Sequence, residues 1–300
     1  MTCVGYGKII LLGEHAVVYG YPALAAALDR GVTIAPVPTP AGGPLRLDIR
    51  AWGVAVTADD DHPVGRSLAA IADALDAGRP PLSLIGDAQV PHGAGLGSSA
   101  ALAVAIARAL CTYARRPLDV ATLTRAAGAS ETLVHGTPSG VDVALAIAGG
   151  TGVFRRSTGL APLGGVPPLR ILVGPSGVPR STAAMVERVA AATGSQRNDP
   201  RLRELGALPD SGTAALLAAD LPTLGGAMDR AHTLLADLGV SIPQLDTLCD
   251  AAREAGAYGA KLTGAGGGGA VIAIAPRDRE AAVLAAWKHA GVDGFVATVR

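Results

Sequence analysis

Residues 90–110, VPHGAGLGSSAALAVAIARAL, join a glycine-rich turn directly to an apolar helix-forming run, and this junction constrains the chain more than any other stretch. Gly93, Gly95 and Gly97 lack a Cβ, so the backbone there can turn sharply and bring N–H groups close to an anion. The first-turn N–H groups of the following helix have no partner inside the helix, and the helix dipole adds partial positive charge at the same place. The first charge after the serines is Arg108, which predicts a helix apolar on every face through residue 107 and therefore buried. A buried helix start leaves costly N–H groups unless a ligand, a cap or water satisfies them. The stretch reads as a phosphate cradle, with an ordinary turn capped by Ser98 or Ser99 as the alternative. It is not a P-loop, which needs Gly-Lys-Ser/Thr after its glycines. Nor is it a dinucleotide fingerprint, because Ser98 stands in the third glycine's place.

Three hundred residues with 49% hydrophobic content suffice for one large or two ordinary domains with a sizeable core. A formal net charge of zero gives no sign of a nucleic-acid surface or a polybasic membrane anchor. Cys3, Cys111 and Cys249 are odd in number, far apart and without the paired spacing of a zinc site, which fits a reducing compartment. No apolar run of about 18 residues and no signal-peptide pattern is present, so a cytoplasmic location is expected. Only three of the 25 basic residues are lysine, Lys8, Lys261 and Lys288, and the first two sit beside glycines. In a chain that otherwise uses arginine, a lysine suggests a position where a compact point charge is wanted, although chance would also produce it.

Residues 3–12 predict a strand running into the core and ending at Gly13-Glu14-His15. On a strand Glu14 and His15 would face opposite sides; on a turn both could enter a cleft. Short β-prone pieces at 16–28, 32–35, 45–52 and 54–57 suggest an antiparallel sheet, followed by a helix over 63–77 and a strand over 82–90. A helix over 118–135 places Glu131 near its C-terminal end, where cations are favoured, so Glu131 calls for a metal ion or a nearby Lys or Arg. Glu131 and His135 share a face but do not make a zinc site without a third ligand. The turn at 137–142 delivers Asp142 into the apolar run 141–148, where a carboxylate is paired, catalytic or a helix cap. Residues 159–168, rich in Gly and Pro, read as a domain junction. Beyond them come a strand at 169–173, helices at 181–192, 213–219, 224–238 and 245–255, and strands at 257–262 and 270–275 flanking Gly264–Gly269. Four consecutive glycines between strands make sense where something approaches the backbone closely. A helix at 278–290 and a strand at 294–299 complete the chain.

Three separated stretches, KIILLGEHAVVYG from Lys8, the loop at 91–101 and KLTGAGGGG from Lys261, resemble the three motifs of the GHMP small-molecule kinases. Within that superfamily, AVVYGYPALAAAL and HGTPSGVD resemble the mevalonate kinases. The resemblance implies an α+β, two-domain GHMP kinase fold: a ribosomal-protein-S5-domain-2-like N-terminal domain over 1–163, a ferredoxin-like C-terminal domain over 164–300, and an active site in the cleft. It implies transfer of the ATP γ-phosphate to the primary hydroxyl of mevalonate. By the same resemblance Gly93, Ala94, Gly95, Leu96, Gly97, Ser98 and Ser99 wrap the phosphates, and Ser99 and Glu131 hold Mg²⁺. Asp142 takes the hydroxyl proton, Lys8 neutralises the transferring phosphoryl group, and Glu14 and His15 bind the substrate. A homodimer is an assembly open to such a chain; nucleic acid and membrane are not expected partners. The competing readings are a phosphomevalonate or sugar kinase of the same fold, and a GHMP-fold binding protein without catalysis.

Overall fold

The computed structural model of the chain describes residues 2–135 and 139–299, without the side chain of His135. The turn expected at 137–142 therefore lies partly outside the described residues. In chain order the elements are β1 (Cys3–Leu12), a 3-10 turn (Ala16–Tyr19), β2 (Ala23–Pro38), β3 (Arg46–Ile49), a 3-10 turn (Arg50–Trp52), β4 (Val54–Thr57), α1 (Pro63–Ala74) and β5 (Leu82–Ala88). Then come α2 (Ser98–Tyr113), α3 (Val120–His135), α4 (Val141–Ala148), β6 (Thr151–Arg155), β7 (Gly159–Pro162), β8 (Leu169–Pro175), α5 (Thr182–Thr193) and α6 (Pro200–Leu217). The chain closes with α7 (Leu221–Asp237), α8 (Pro243–Glu254), β9 (Gly259–Thr263), β10 (Ala270–Ile274), α9 (Glu280–His289) and β11 (Phe295–Val299). Several helices open on the expected chemistry. Asp199 and Asp220 accept N-terminal N–H groups of α6 and α7, and each helix carries a proline in its first turn.

The chain forms two compact units: Met1–Gly7, Arg30–His92 and Gly97–Gly149 make the first, and Lys8–Asp29, Gly93–Leu96 and Gly150–Arg300 the second. In the first, β3 pairs with β4 antiparallel and with β5 in parallel, while the second half of β2 pairs with β5 from Val32↔Ala88 to Pro38↔Leu82. Helices α1 to α4 pack on one another, and their apolar faces join Val32, Ile34, Leu47 and Leu84 in one core. From Ala100 through Ala107 of α2 no side chain is more than 6% exposed, as its uncharged sequence predicts. The small residues have a purpose, since a Cβ on Gly5 of β1 would stand 1.9 Å from the Ala101 carbonyl oxygen. The first charge, Arg108, is accommodated by donating to Val4 O and, at 2.8 Å, to Ile147 O in the last turn of α4.

In the second unit the first half of β2 pairs with β6, and β6 with β7. A separate antiparallel sheet has the order β11-β8-β10-β9. With α5 to α8 between β8 and β9, and α9 between β10 and β11, this is the split βαβ arrangement of a ferredoxin-like sheet. Trp287 of α9 is wholly buried and donates from Nε1 to Leu248 O at 2.8 Å.

Three departures from the sequence reading have local causes. The pieces expected at 16–28 and 32–35 give way to the single 16-residue strand β2. Gly31 permits this continuity, because a Cβ there would lie 2.0 Å from Gly5 O on β1. The helix expected at 213–219 is the end of α6, which begins at Pro200 and runs through Gly206 and Pro209. Gly206 is a packing residue, for a Cβ on it would meet the Tyr21 ring at 2.3 Å. Within 159–168, residues 159–162 form β7 instead of open linker. No helix among the described residues is long and apolar enough to cross a membrane.

Candidate active site

β1 ends at a turn whose backbone is held in a conformation non-glycine residues rarely adopt. His15 has φ 59° and ψ −46°, and Ala16 N donates to Glu14 O at 2.6 Å. This is a positive-φ γ-turn, a strained form costing roughly 1–3 kcal/mol that persists only when its surroundings fix it. Here two contacts fix it. The His15 Nε2–H donates to Ala265 O at 2.8 Å, and Lys261 Nζ forms an ion pair with Glu14 Oε1. Both side chains of the Glu14-His15 pair thus turn inward, at 1% and 5% exposure. Lys261 comes from β9 and donates to Leu262 O as well, at 2.6 Å. Thr263 ties β9 to β1, accepting from Ile10 N at 3.0 Å and donating to Ile10 O at 3.1 Å. The second Glu14 oxygen, Oε2, is buried without a hydrogen-bond partner among the described residues.

Burial pushes the Glu14 carboxyl up against the pull of Lys261, and pushes the Lys261 ammonium down against the pull of Glu14. Each charge is therefore costly alone and tolerable with the other. Burial also pushes His15 down to about 4, with the Arg180 and Lys261 charges acting in the same sense and the Ala265 carbonyl opposing. The imidazole is neutral near pH 7, with its proton on Nε2. Because the unfolded chain takes up this proton near pH 6.5 and the folded one only near 4, stability contributed here is full above pH 6.5 and is lost as pH falls through 4. Between pH 7 and pH 5 the loss amounts to about 2 kcal/mol. His15→Asn, which tolerates positive φ, flattens that part of the slope; urea unfolding of both proteins at the two pH values measures it.

The glycine-rich cradle begins beside this turn. Lys8 is 2% exposed, and its backbone N–H donates to Leu96 O at 2.8 Å. Gly93, Gly95 and Gly97 have φ of 74°, 77° and 70°, the left-handed conformation at alternate residues from which anion nests are built. Gly97 is itself the N-cap of α2 and has no side chain to cap it, so Ser98 and Ser99 are its first helical residues and not the N-cap. The second glycine-rich stretch adjoins the first: a Cβ on Gly269 would stand 3.2 Å from Ala94 O. Arg180 borders both, its guanidinium lying 2.7 Å from a would-be Cβ of Gly95 and 3.3 Å from that of Gly264. The glycines at 266–268 are required by close approach, as the sequence predicts, and what approaches is the protein itself, through Val240 O, Met185 and Val178 O.

Within the first unit, α2, α3 and α4 pack together and carry Ser99, Glu131 and Asp142. Glu131 is 1% exposed. Asp142 stands in the first turn of α4, where the helix dipole favours a carboxylate. The sequence predicts a buried Asp, but it is half-buried, while Val141, Val143, Leu145, Ala146 and Ile147 are the buried residues of α4. Ser99 and Glu131 offer a hydroxyl and a carboxylate, the hard oxygen donors that suit Mg²⁺ when phosphate oxygens complete the shell. Among the described residues no group of three His, Cys, Asp or Glu forms a metal site, and the His135 side chain lies outside them.

Neither Lys261 nor Arg180 was given a role at the Glu14-His15 turn by the sequence. Lys261 had a signal, the scarcity of lysine, yet nothing in the sequence paired it with Glu14, 247 positions away. Arg180 had none, being one arginine among many.

The pattern described as the GHMP kinases N terminal domain matches residues 63–150, and that described as GHMP kinases C terminal matches residues 213–293. A mevalonate kinase of Thermococcus sibiricus is 35% identical over 95% of this chain and 91% of its own length. One of Aeropyrum pernix is 34% identical over 89% and 86%. The crystal structure of L. major mevalonate kinase in complex with R-mevalonate superposes with a TM-score of 0.88 at 28% identity, covering 100% of this chain and 96% of that one. Matches to both halves of the family pattern and full-length relatives sharing a third of their residues establish that the chain belongs to the GHMP kinases.

Proposed function

We propose that this chain transfers the γ-phosphoryl group of ATP to the primary hydroxyl of mevalonate, giving 5-phosphomevalonate and ADP. The observation that carries this reading is the buried Glu14-His15 turn, with Glu14 Oε2 unpartnered among the described residues and the Arg180 charge acting on His15. Mevalonate offers a carboxylate, which suits one guanidinium, and hydroxyls, which suit one carboxylate oxygen and a neutral imidazole. A phosphorylated acceptor would require more positive charge, and Lys261 is already committed to Glu14. The relative solved with R-mevalonate bound supports the same acceptor.

In the reaction the hydroxyl oxygen attacks the γ-phosphorus, the bond to the β-phosphate oxygen breaks, and ADP leaves. Asp142 receives the hydroxyl proton, and Lys8 offsets the negative charge on the transferring group. The N–H groups of Gly93 to Ser99 hold the phosphates. Ser99 and Glu131 would hold Mg²⁺, which neutralises phosphate charge when bound. The division at residue 163 and a cytoplasmic location belong to the same proposal; the three cysteines are free thiols and buried.

Coupled ADP release with Mg·ATP and a panel of mevalonate, 5-phosphomevalonate, galactose and homoserine tests the acceptor. Turnover on mevalonate is expected, and turnover only on another member overturns the assignment. Ser99→Ala and Glu131→Gln should each raise the Mg²⁺ concentration for half-maximal rate by about tenfold or more. Unchanged Mg²⁺ titrations in both would remove the two residues from the metal.

A further inference from the structure

β9 is the outer strand of its sheet, yet its open edge is closed by side chains of α7 and α8 instead of another strand. Ala260 N donates to Asp229 Oδ1 at 2.9 Å, and Arg253 Nη2 donates to Ala260 O at 2.9 Å. One register step on, Leu262 N donates to His232 Nδ1 at 3.3 Å. Between these two anchored residues sits Lys261, whose ammonium meets Glu14. An imidazole nitrogen that accepts a backbone N–H carries no proton, so the His232 proton is on Nε2, which donates to Asp246 Oδ1 at 3.1 Å. Ser241 Oγ donates to the same carboxylate oxygen at 2.5 Å, and Cys249 Sγ lies 3.7 Å from Nδ1. His232 is 6% exposed, and burial lowers its affinity for a second proton, which keeps Nδ1 available as an acceptor.

We propose that His232, its tautomer set by Asp246, is a positioning residue for the acceptor pocket, acting through Leu262 N–H to hold Lys261 in register with Glu14. The inference rests on the reading of Glu14 as an acceptor-binding residue. Leucine at 232 fills the space and offers no acceptor, leaving a buried N–H unsatisfied and the strand free to shift. Asparagine offers a carbonyl oxygen near the position of Nδ1.

Steady-state kinetics of the full chain with mevalonate and ATP test it. For His232→Leu the KM for mevalonate should rise about tenfold while the KM for ATP stays within about twofold, and His232→Asn should recover most of the loss. Asp246→Ala, at a half-exposed side chain, should shift the mevalonate KM in the same direction and keeps the test open if His232→Leu does not fold. Glu14→Gln is the reference. If it raises the mevalonate KM while His232→Leu and Asp246→Ala do not, the positioning role is overturned and the pocket stands. If none of the three moves it, the pocket reading falls and takes this inference with it. A loss spread equally over both substrates, with no recovery in His232→Asn, marks a merely structural residue and also overturns the proposal.

Discussion

Asp142→Asn folds, binds ATP as the parent does, and loses about 10²–10⁴-fold in kcat with mevalonate. Asparagine keeps the size and the first-turn position but removes the basic oxygen. Asp142 is half-buried at the start of α4, a helix anchored at its other end by Arg108, and asparagine keeps its volume and one side-chain oxygen there. The folding cost is therefore small and the effect falls on turnover. Phosphoryl transfer leaves little covalent work to the protein, so losing the base should lower kcat without changing nucleotide affinity. Nucleotide titration and single-turnover kinetics on the same preparation separate the two. A rate near that of the parent would remove Asp142 from proton transfer.

Lys261→Met produces the largest loss of stability. It leaves the Glu14 carboxylate buried, at 1% exposure, without its cation, and breaking such a pair from one side costs about 3–5 kcal/mol. Adding Glu14→Gln to the same protein removes the stranded charge and should return most of that stability, because two neutral partners carry no desolvation cost of ionisation. Activity should not return with it. The acceptor pocket loses its carboxylate in the double variant, so the mevalonate KM remains raised while the urea midpoint recovers. A double variant that is no more stable than Lys261→Met would show that the two side chains contribute independently, contrary to the ion pair.

Much of this architecture is legible in the sequence because local chemistry and burial agree. The uncharged run after Ser99 can only be an interior helix, and α2 is one. The glycines at 93, 95 and 97 announce a left-handed loop, and all three adopt positive φ. Where the reading failed, a distant partner decided the local form. A helix is legible only over 213–219, yet α6 begins at Pro200, and its Gly206 is explained by the Tyr21 ring packed against it from about 185 positions away. The sequence left Glu14 and His15 undecided between strand and turn; Ala265 and Lys261, about 250 positions away, settle it. Arg180 and the His232 network were invisible for the same reason, since neither has a spacing signature and both exist only through tertiary contacts.

The most direct test is phosphorus NMR of a reaction containing the purified chain, Mg·ATP and R-mevalonate. Loss of the γ-phosphate signal matched by ADP and by a phosphomonoester split by two adjacent methylene protons is the predicted result, since it identifies the primary hydroxyl as acceptor. Bound ATP with no new phosphomonoester, or a phosphoryl group on the tertiary hydroxyl or the carboxylate, would contradict the account.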